Sequence, residues 1–135
     1  MKVLGLDVGD ARIGLAVAET GRPFAFGRGW LVRHDDEQDL AAVLELARSE
    51  GAELAVVGLP LRTGGEEGAQ AAKVRRFAAA LEAAGLPVVF SDERFTTRLA
   101  QRRLQHLPRK KRQEKGRLDE AAAVAILESY LEKQG

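Results

Sequence analysis

Residues 2–18 set the architecture of this chain, and they read KVLGLDVGDARIGLAVA. The first seven are apolar on both faces of a strand, a pattern typical of a strand in the middle of a sheet. Gly9-Asp10 has the composition of a tight turn, and residues 12–18 return as a second strand. The stretch predicts a β-hairpin whose central strand carries one acid, Asp7, where a charge is costly to bury.

Downstream of the hairpin the pattern alternates between helices and strands. The predicted elements are strands at 25–33, 54–57 and 87–90 and helices at 36–50, 67–84, 96–106 and 117–133. Their order, βββαβαβαα, is typical of the α/β class, with a mixed five-stranded sheet flanked by helices. No boundary signal interrupts the pattern, so we expect residues 1–135 to form a single domain.

Composition excludes several classes of site. The chain has no cysteine, which rules out disulfides, zinc-thiolate centres and thiol nucleophiles. Its only histidines are His34 and His106, so any metal would be a hard cation with oxygen ligands. No apolar run reaches the roughly 20 residues of a membrane span, and the N-terminus has a strand pattern instead of a signal peptide. We therefore expect a cytoplasmic protein with no membrane partner.

The net charge of +1 conceals a segregation of charge along the chain. The segment from Arg94 to Arg117 holds ten of the 21 Lys and Arg residues and one acid, Glu114. The rest holds 11 basic and 19 acidic residues, so a segment of about +9 is joined to a body of about −8. Such a run can be a solvated face, but a polyanionic partner explains the split better. Its position between Glu93 and Asp119 favours that second explanation.

Three carboxylates stand where a chain of this composition should not place charge. Asp7 lies near the end of the first strand, Glu93 follows the strand at 87–90, and Asp119 opens the final helix. Each also has a structural explanation, because Asp-x-Gly occurs in turns and acids are favourable near helix N-termini. If the three converge at one rim of the sheet, however, their oxygen atoms make a site for divalent cations.

Helical phase adds a physical argument for Asp119. At 100° per residue it falls opposite three glutamates that we predict to be solvated, Glu120, Glu128 and Glu132. Asp119 falls instead beside Ile126 and Tyr130, so we expect it to face the core side of the helix.

Motifs spread over nearly the whole chain match one known family. They are Leu4-Gly5-Leu6-Asp7-Val8-Gly9 with Arg12-Ile13-Gly14, Val56-Val57-Gly58-Leu59-Pro60-Leu61, Gly68, Val74-Arg75-Arg76-Phe77-Ala78, Asp92-Glu93-Arg94-Phe95-Thr96-Thr97, and Asp119-Glu120-Ala121-Ala122-Ala123 with Ile126-Leu127 and Tyr130-Leu131. Through these the chain resembles the YqgF/RuvX family, described as pre-16S rRNA nucleases and as Holliday-junction-resolvase-like proteins. The resemblance implies an RNase H-like fold and an Asp-Glu-Asp metal site at Asp7, Glu93 and Asp119. The chain departs from the family pattern at Ala18-Glu19 and at Arg62-Thr63-Gly64-Gly65.

The expected function is hydrolysis of nucleic-acid phosphodiester bonds by a divalent-metal-dependent endonuclease. Asp7, Glu93 and Asp119 are the expected catalytic and metal-binding residues, and they would hold Mg²⁺ or Mn²⁺, with two ions expected. The residues expected to bind the nucleic-acid backbone are Arg12, Arg94, Thr97, Arg109, Lys110, Lys111, Arg112, Lys115 and Arg117. The expected substrates are a structured RNA precursor, as in processing of the 5' end of pre-16S rRNA, or branched DNA, as in Holliday junction resolution. Resolving a junction calls for two symmetric cuts, so a homodimer stays open.

Two other functions remain open at this point. A non-catalytic RNA- or DNA-binding module would use only the basic segment and would not need an inward-facing Asp119. An actin/sugar-kinase-like phosphotransferase would use Asp7-Val8-Gly9 as a phosphate hairpin, but 135 residues are too few for two domains that enclose ATP.

Overall fold

The element order agrees with the sequence-based prediction wherever the structure describes the chain. The structure is a computed structural model that describes residues 1–93, 105, 108 and 114–134. Its strands are β1 (Lys2–Val8), β2 (Arg12–Glu19), β3 (Ala25–Val32), β4 (Leu54–Leu59) and β5 (Val88–Asp92). Its helices are α1 (Asp36–Glu50), α2 (Ala69–Ala83) and α3 (Arg117–Gln134). The helix predicted at 96–106 lies outside the described residues, apart from position 105.

The five strands form one mixed sheet in the order β3-β2-β1-β4-β5. Strand β1 lies in the centre, as its apolar sequence predicted. It pairs antiparallel with β2 and parallel with β4, and β4 pairs parallel with β5. The carboxyl ends of β1, β4 and β5 therefore lie at one edge of the sheet, which is where α/β sheets usually bind ligands.

Alternation along β1 divides its side chains between the two faces of the sheet. Leu4 and Leu6 belong to the cluster that contains Val43 of α1 and Phe77 of α2. Val3 belongs to the other cluster, with buried residues of α3 such as Leu127. Because successive side chains point to opposite faces, Asp7 shares the α3 face with Val3.

Four glycines, one from each of β1 to β4, bring the sheet close to α3 and to the site beside it. They are Gly5, Gly14, Gly27 and Gly58. A Cβ atom there would overlap Leu127, the main chain of Asp119, the carboxyl group of Glu120, and Glu93 with Ile126, respectively. The sheet thus approaches the helix, and admits two carboxylate side chains, at distances that no other residue permits.

The burial of α3 corrects one prediction. Residues 121–127 are all buried, so exposure does not follow a single stripe of this helix. Of the three glutamates predicted to be solvated, only Glu132 is exposed. Glu120 accepts a hydrogen bond from the main-chain N–H of Gly29 at 2.6 Å, and Glu128 accepts one from that of Ala25 at 3.4 Å. Helical phase cannot foresee the position of Glu120, because Gly27 of β3 leaves the room for its carboxyl group.

In the described part of the chain, no helix combines the length and apolar character that crossing a membrane requires.

The close approach at Gly14 can be tested by adding one methyl group. Gly14→Ala would place a Cβ against the carbonyl of Asp119, which is rigid main chain, so α3 must move. We expect unfolding in urea to show a loss of about 3 kcal/mol, the upper part of the usual range for overpacking. The control is Gly64→Ala, whose added Cβ meets only the flexible side chain of Glu66. Equal stabilities for the two variants would contradict the account.

Candidate active site

Asp7 occupies a position on β1 flanked by glycines on both neighbouring strands. It pairs directly with Gly14 of β2. On the other side the last parallel pair is Leu6 with Val57, which sets Asp7 beside Gly58 of β4. Both glycines lack side chains on the face that Asp7 shares with α3. The sheet therefore leaves space on either side of this carboxyl group.

Glu93 fills the space over Gly58. It directly follows β5, and its main-chain N–H donates to the carbonyl of Leu59 at 3.2 Å. A Cβ on Gly58 would overlap its Oε2 atom, so the glycine is what admits this side chain. The carboxyl groups of Glu93 and Asp7 share a hydrogen bond. The structure thus brings together two acids that are 86 residues apart in the numbering.

Asp119 approaches from the other side, over Gly14. It lies in the first turn of α3, where its main chain rests directly on that glycine. Its Oδ2 atom accepts a hydrogen bond from Nε of Arg12 at 2.7 Å. The two side chains are 22% and 30% exposed, so this ion pair lies at the rim of the site. The charge of Asp119 still acts on Asp7 and raises its pKa.

Burial and mutual repulsion favour the protonated forms of the two inner carboxyl groups. Burial raises the pKa of Glu93 to about 9, and the nearby charge of Asp7 acts in the same direction. Burial also raises the pKa of Asp7, to about 6, although the hydrogen bond from Glu93 opposes the change. At neutral pH the pair therefore retains one proton, which Glu93 holds and shares with Asp7. A cation at this position would replace that proton.

The side chains are not already arranged around a cation. Among residues 1–93 and 114–134, no group of three or more His, Asp or Glu side chains is set to hold a metal ion. Asp7 instead hydrogen-bonds Glu93, and Asp119 is turned toward Arg12. The donor chemistry nevertheless fits Mg²⁺ or Mn²⁺, because hard cations prefer carboxylate oxygen atoms.

A buried ion pair fixes the turn that follows Asp7. Arg33 donates to the carbonyl of Gly9 at 2.9 Å and to Oδ2 of Asp39 at 2.6 Å. Asp39 is only 3% exposed, and it also accepts from the main-chain N–H of His34. No sequence pattern marks this pair, because acids are common in the first turn of a helix, where Asp39 lies.

Of the residues predicted to bind the nucleic-acid backbone, the structure describes some and not others. Arg12 lies at the rim and binds Asp119. Lys115 is exposed, whereas the guanidinium group of Arg117 binds Glu114 and Glu120. The remaining predicted residues lie outside the described part of the chain: Arg94, Thr97, Arg109, Lys110, Lys111 and Arg112.

Comparison with known proteins identifies the family. The family model named RuvX, described as Holliday junction resolvase, matches residues 1–133. The chain belongs to the RuvX family. This nuclease family is also called YqgF, so the predicted resemblance is confirmed. Membership supports a phosphodiester-hydrolysing enzyme.

Named relatives agree with membership of RuvX. A Thermus thermophilus protein named "Putative pre-16S rRNA nuclease" is 57% identical over 131 residues, which are 97% of each chain. A protein of the same name from Anaeromyxobacter dehalogenans is 42% identical and covers 99% of this chain and 98% of its own.

Two solved structures confirm the predicted RNase H-like fold. Thermus thermophilus RuvC in complex with a Holliday junction substrate aligns with a TM-score of 0.64 at 20% identity, covering 100% of this chain and 96% of RuvC. Fowlpox virus resolvase in complex with Holliday junction DNA aligns with a TM-score of 0.62 at 12% identity, covering 99% of each chain. At these identities the likeness shows the fold alone.

The raised pKa values predict how stability depends on pH. Native Glu93 keeps its proton up to about pH 9, whereas the unfolded chain loses it near 4.5. Between these values the native state binds more protons, so stability falls as pH rises, by up to about 1.4 kcal/mol per pH unit for each such group. Glu93→Gln should flatten that fall.

Urea unfolding from pH 5 to pH 9 measures this effect. The control is Glu132→Gln, which removes an exposed carboxyl group and should leave the pH dependence as it is in the wild type. A Glu93→Gln variant whose stability falls as steeply as that of the wild type would show that Glu93 is not buried beside Asp7.

Proposed function

We propose that the chain is a divalent-metal-dependent endonuclease whose site consists of Asp7, Glu93 and Asp119. The supporting observation is the hydrogen-bonded pair of Asp7 and Glu93, with the charge of Asp119 close enough to raise the pKa of Asp7. A protein gains nothing in stability from three carboxyl groups gathered in partial burial. Divalent cations compensate such a cost and also provide chemistry.

The three acids and Arg12, which lies at the rim of the site, would have different roles. Asp7 lies between the other two acids, and the three carboxyl groups would together hold two Mg²⁺ or Mn²⁺ ions. When bound, such ions activate a water and stabilise charge on the leaving oxygen. Glu93 gives up its proton as the site fills, so cation binding should tighten as pH rises toward 9. Arg12 loses its partner if Asp119 turns to a cation, and its guanidinium group is then free to bind a phosphate.

The basic segment would hold the substrate by contacting the phosphate backbone of the nucleic acid. Ten Lys and Arg residues with one acid between positions 94 and 117 suit contacts with phosphate groups that do not read sequence. We place the phosphate contacts at Arg12, Lys115 and the predicted residues from Arg94 to Arg112. The whole chain would act as one domain in the cytoplasm, alone or as a homodimer.

The substrate is either a structured RNA precursor or branched DNA. The names of the relatives favour maturation of pre-16S rRNA, and the description of the family model favours Holliday junctions. Both offer the same phosphodiester group to the same carboxylates. The alternative, a non-catalytic nucleic-acid-binding module, would bind these substrates without cutting them.

An Asp7→Asn variant separates the nuclease from the binding module. It keeps the size of the side chain but removes the charge that would help to hold the ions. We expect cleavage of a precursor rRNA fragment or of junction DNA with Mn²⁺ to fall by more than about 100-fold, since even outer partners of a metal site cost about 10–100-fold. Binding of the same substrate without cleavage should remain.

The matched control is Asp10→Asn, three residues further along the same hairpin. Asp10 is an exposed turn residue whose carboxylate forms a 3.3 Å ion pair with Lys73. This variant should cleave as the wild type does. Full cleavage by Asp7→Asn would overturn the proposed function, and so would a wild type that binds both substrates with Mn²⁺ and cuts neither.

A further inference from the structure

The carboxyl group of Glu120, the residue after Asp119, is bound by the main chain of β3 and by Arg117. Glu120 is 14% exposed, and both of its oxygen atoms are used. Oε2 accepts from the main-chain N–H of Gly29 at 2.6 Å, and Oε1 accepts from Arg117 at 2.7 Å. Gly27 leaves the room for this carboxyl group, since a Cβ there would overlap it. A partly buried charge with every oxygen satisfied fixes its surroundings firmly.

Arg117 contacts both Glu120 and Trp30, which is the single tryptophan of the chain. Its guanidinium group binds Glu120 and Glu114, at 2.7 and 2.8 Å, and lies 5.3 Å from the ring centre of Trp30. Gly116 contacts that ring from the main chain, where a Cβ would overlap the indole. The Nε atom of Arg117 is buried with no hydrogen-bond partner among the described residues. Leaving this nitrogen unpaired costs about 1–3 kcal/mol, which the other contacts of the Arg117 side chain offset.

The contacts among Trp30, Arg117 and Glu120 lie one strand away from the site of Asp7 and Glu93. Trp30 of β3 pairs with Gly14 of β2, and Gly14 pairs with Asp7 of β1. The main chain of Asp119 rests on Gly14, between the tryptophan and the inner carboxylates. Arg117 and Glu120, which lie on either side of Asp119 in the sequence, therefore attach the first turn of α3 to β3.

We propose that Trp30, Arg117 and Glu120 are positioning residues, which hold Asp119 at the active site by fixing the first turn of α3 to β3. This rests on the proposed nuclease function of Asp119. Arg117 serves in this way instead of contacting a phosphate, because its side chain is only 21% exposed and both of its terminal nitrogens bind carboxylates. Lys115, which is exposed two residues earlier, remains a phosphate contact.

Glu120→Gln distinguishes positioning from simple electrostatics. Removing a negative charge beside a nucleic-acid site should by itself leave binding unchanged or tighter. If Glu120 anchors α3, however, kcat should fall by at least about tenfold, as for outer partners of metal sites, while substrate Kd changes by less than about twofold. Amide hydrogen exchange of residues 117–121 should become faster. Glu132→Gln, the same change at an exposed position of α3, should alter none of these quantities.

Arg117→Gln and Lys115→Gln form the second comparison. Loss of a phosphate contact lowers the salt dependence of log Kd by about one unit, so Lys115→Gln should weaken binding and reduce this slope. Arg117→Gln should instead leave Kd and slope unchanged and lower kcat. Trp30 fluorescence should shift in Arg117→Gln alone, and Trp30→Phe, which keeps an aromatic ring under the guanidinium group, should retain most of the activity that Trp30→Leu loses.

Three results would overturn the inference. One is an Arg117→Gln variant that loses affinity and salt dependence as Lys115→Gln does while keeping its kcat. Another is unchanged kcat in Glu120→Gln. The third is unchanged hydrogen exchange of residues 117–121 in Glu120→Gln, which needs no substrate and decides the question even if the wild type cleaves nothing. Should Arg117→Gln fail to fold, Arg117→Lys keeps the charge but loses the paired contacts, so it should show the same fall in kcat.

Discussion

The close approach of α3 to the sheet makes the carboxylate site at the end of β1 possible. Gly14 lets the main chain of Asp119 rest on β2, and Gly58 admits the carboxyl group of Glu93 over β4. Asp7 lies between these two glycines on β1. With side chains at either position, the three acids could not share one edge of the sheet. The glycines thus create the site as much as the carboxylates do.

Gathering acids in this way has an electrostatic cost that the protein meets in two ways. Asp7 and Glu93 share a proton, because burial and repulsion raise both pKa values. Asp119 is neutralised by Arg12 at the rim. In the function that we propose, a cation would displace the proton, and Arg12 would exchange one carboxylate for a phosphate. The arrangement without metal is therefore consistent with a site that closes around its ions when they bind.

Local chemistry predicted most of the fold, and long-range packing explains what it missed. Helix α1 has its predicted bounds because Asp35 caps its start and Gly51, with a φ of 71°, ends it. The apolar sequence of β1 correctly placed that strand in the centre. Helical phase failed for Glu120, since only the β2–β3 register brings Gly27 and Gly29 beneath that residue. Gly14 and Gly58 belong to the family motifs, but their role depends on contacts with Asp119 and Glu93 that sequence spacing does not show.

In the nuclease that we propose, Asp7, Glu93 and Asp119 together hold divalent cations. Anomalous scattering from crystals of the protein soaked in Mn²⁺ measures this directly. We predict manganese peaks within bonding distance, about 2.0–2.4 Å, of carboxylate oxygen atoms from all three residues, with Asp119 released from Arg12. Manganese bound elsewhere on the protein, with Asp7 still hydrogen-bonded to Glu93 and Asp119 still paired with Arg12, would contradict the account.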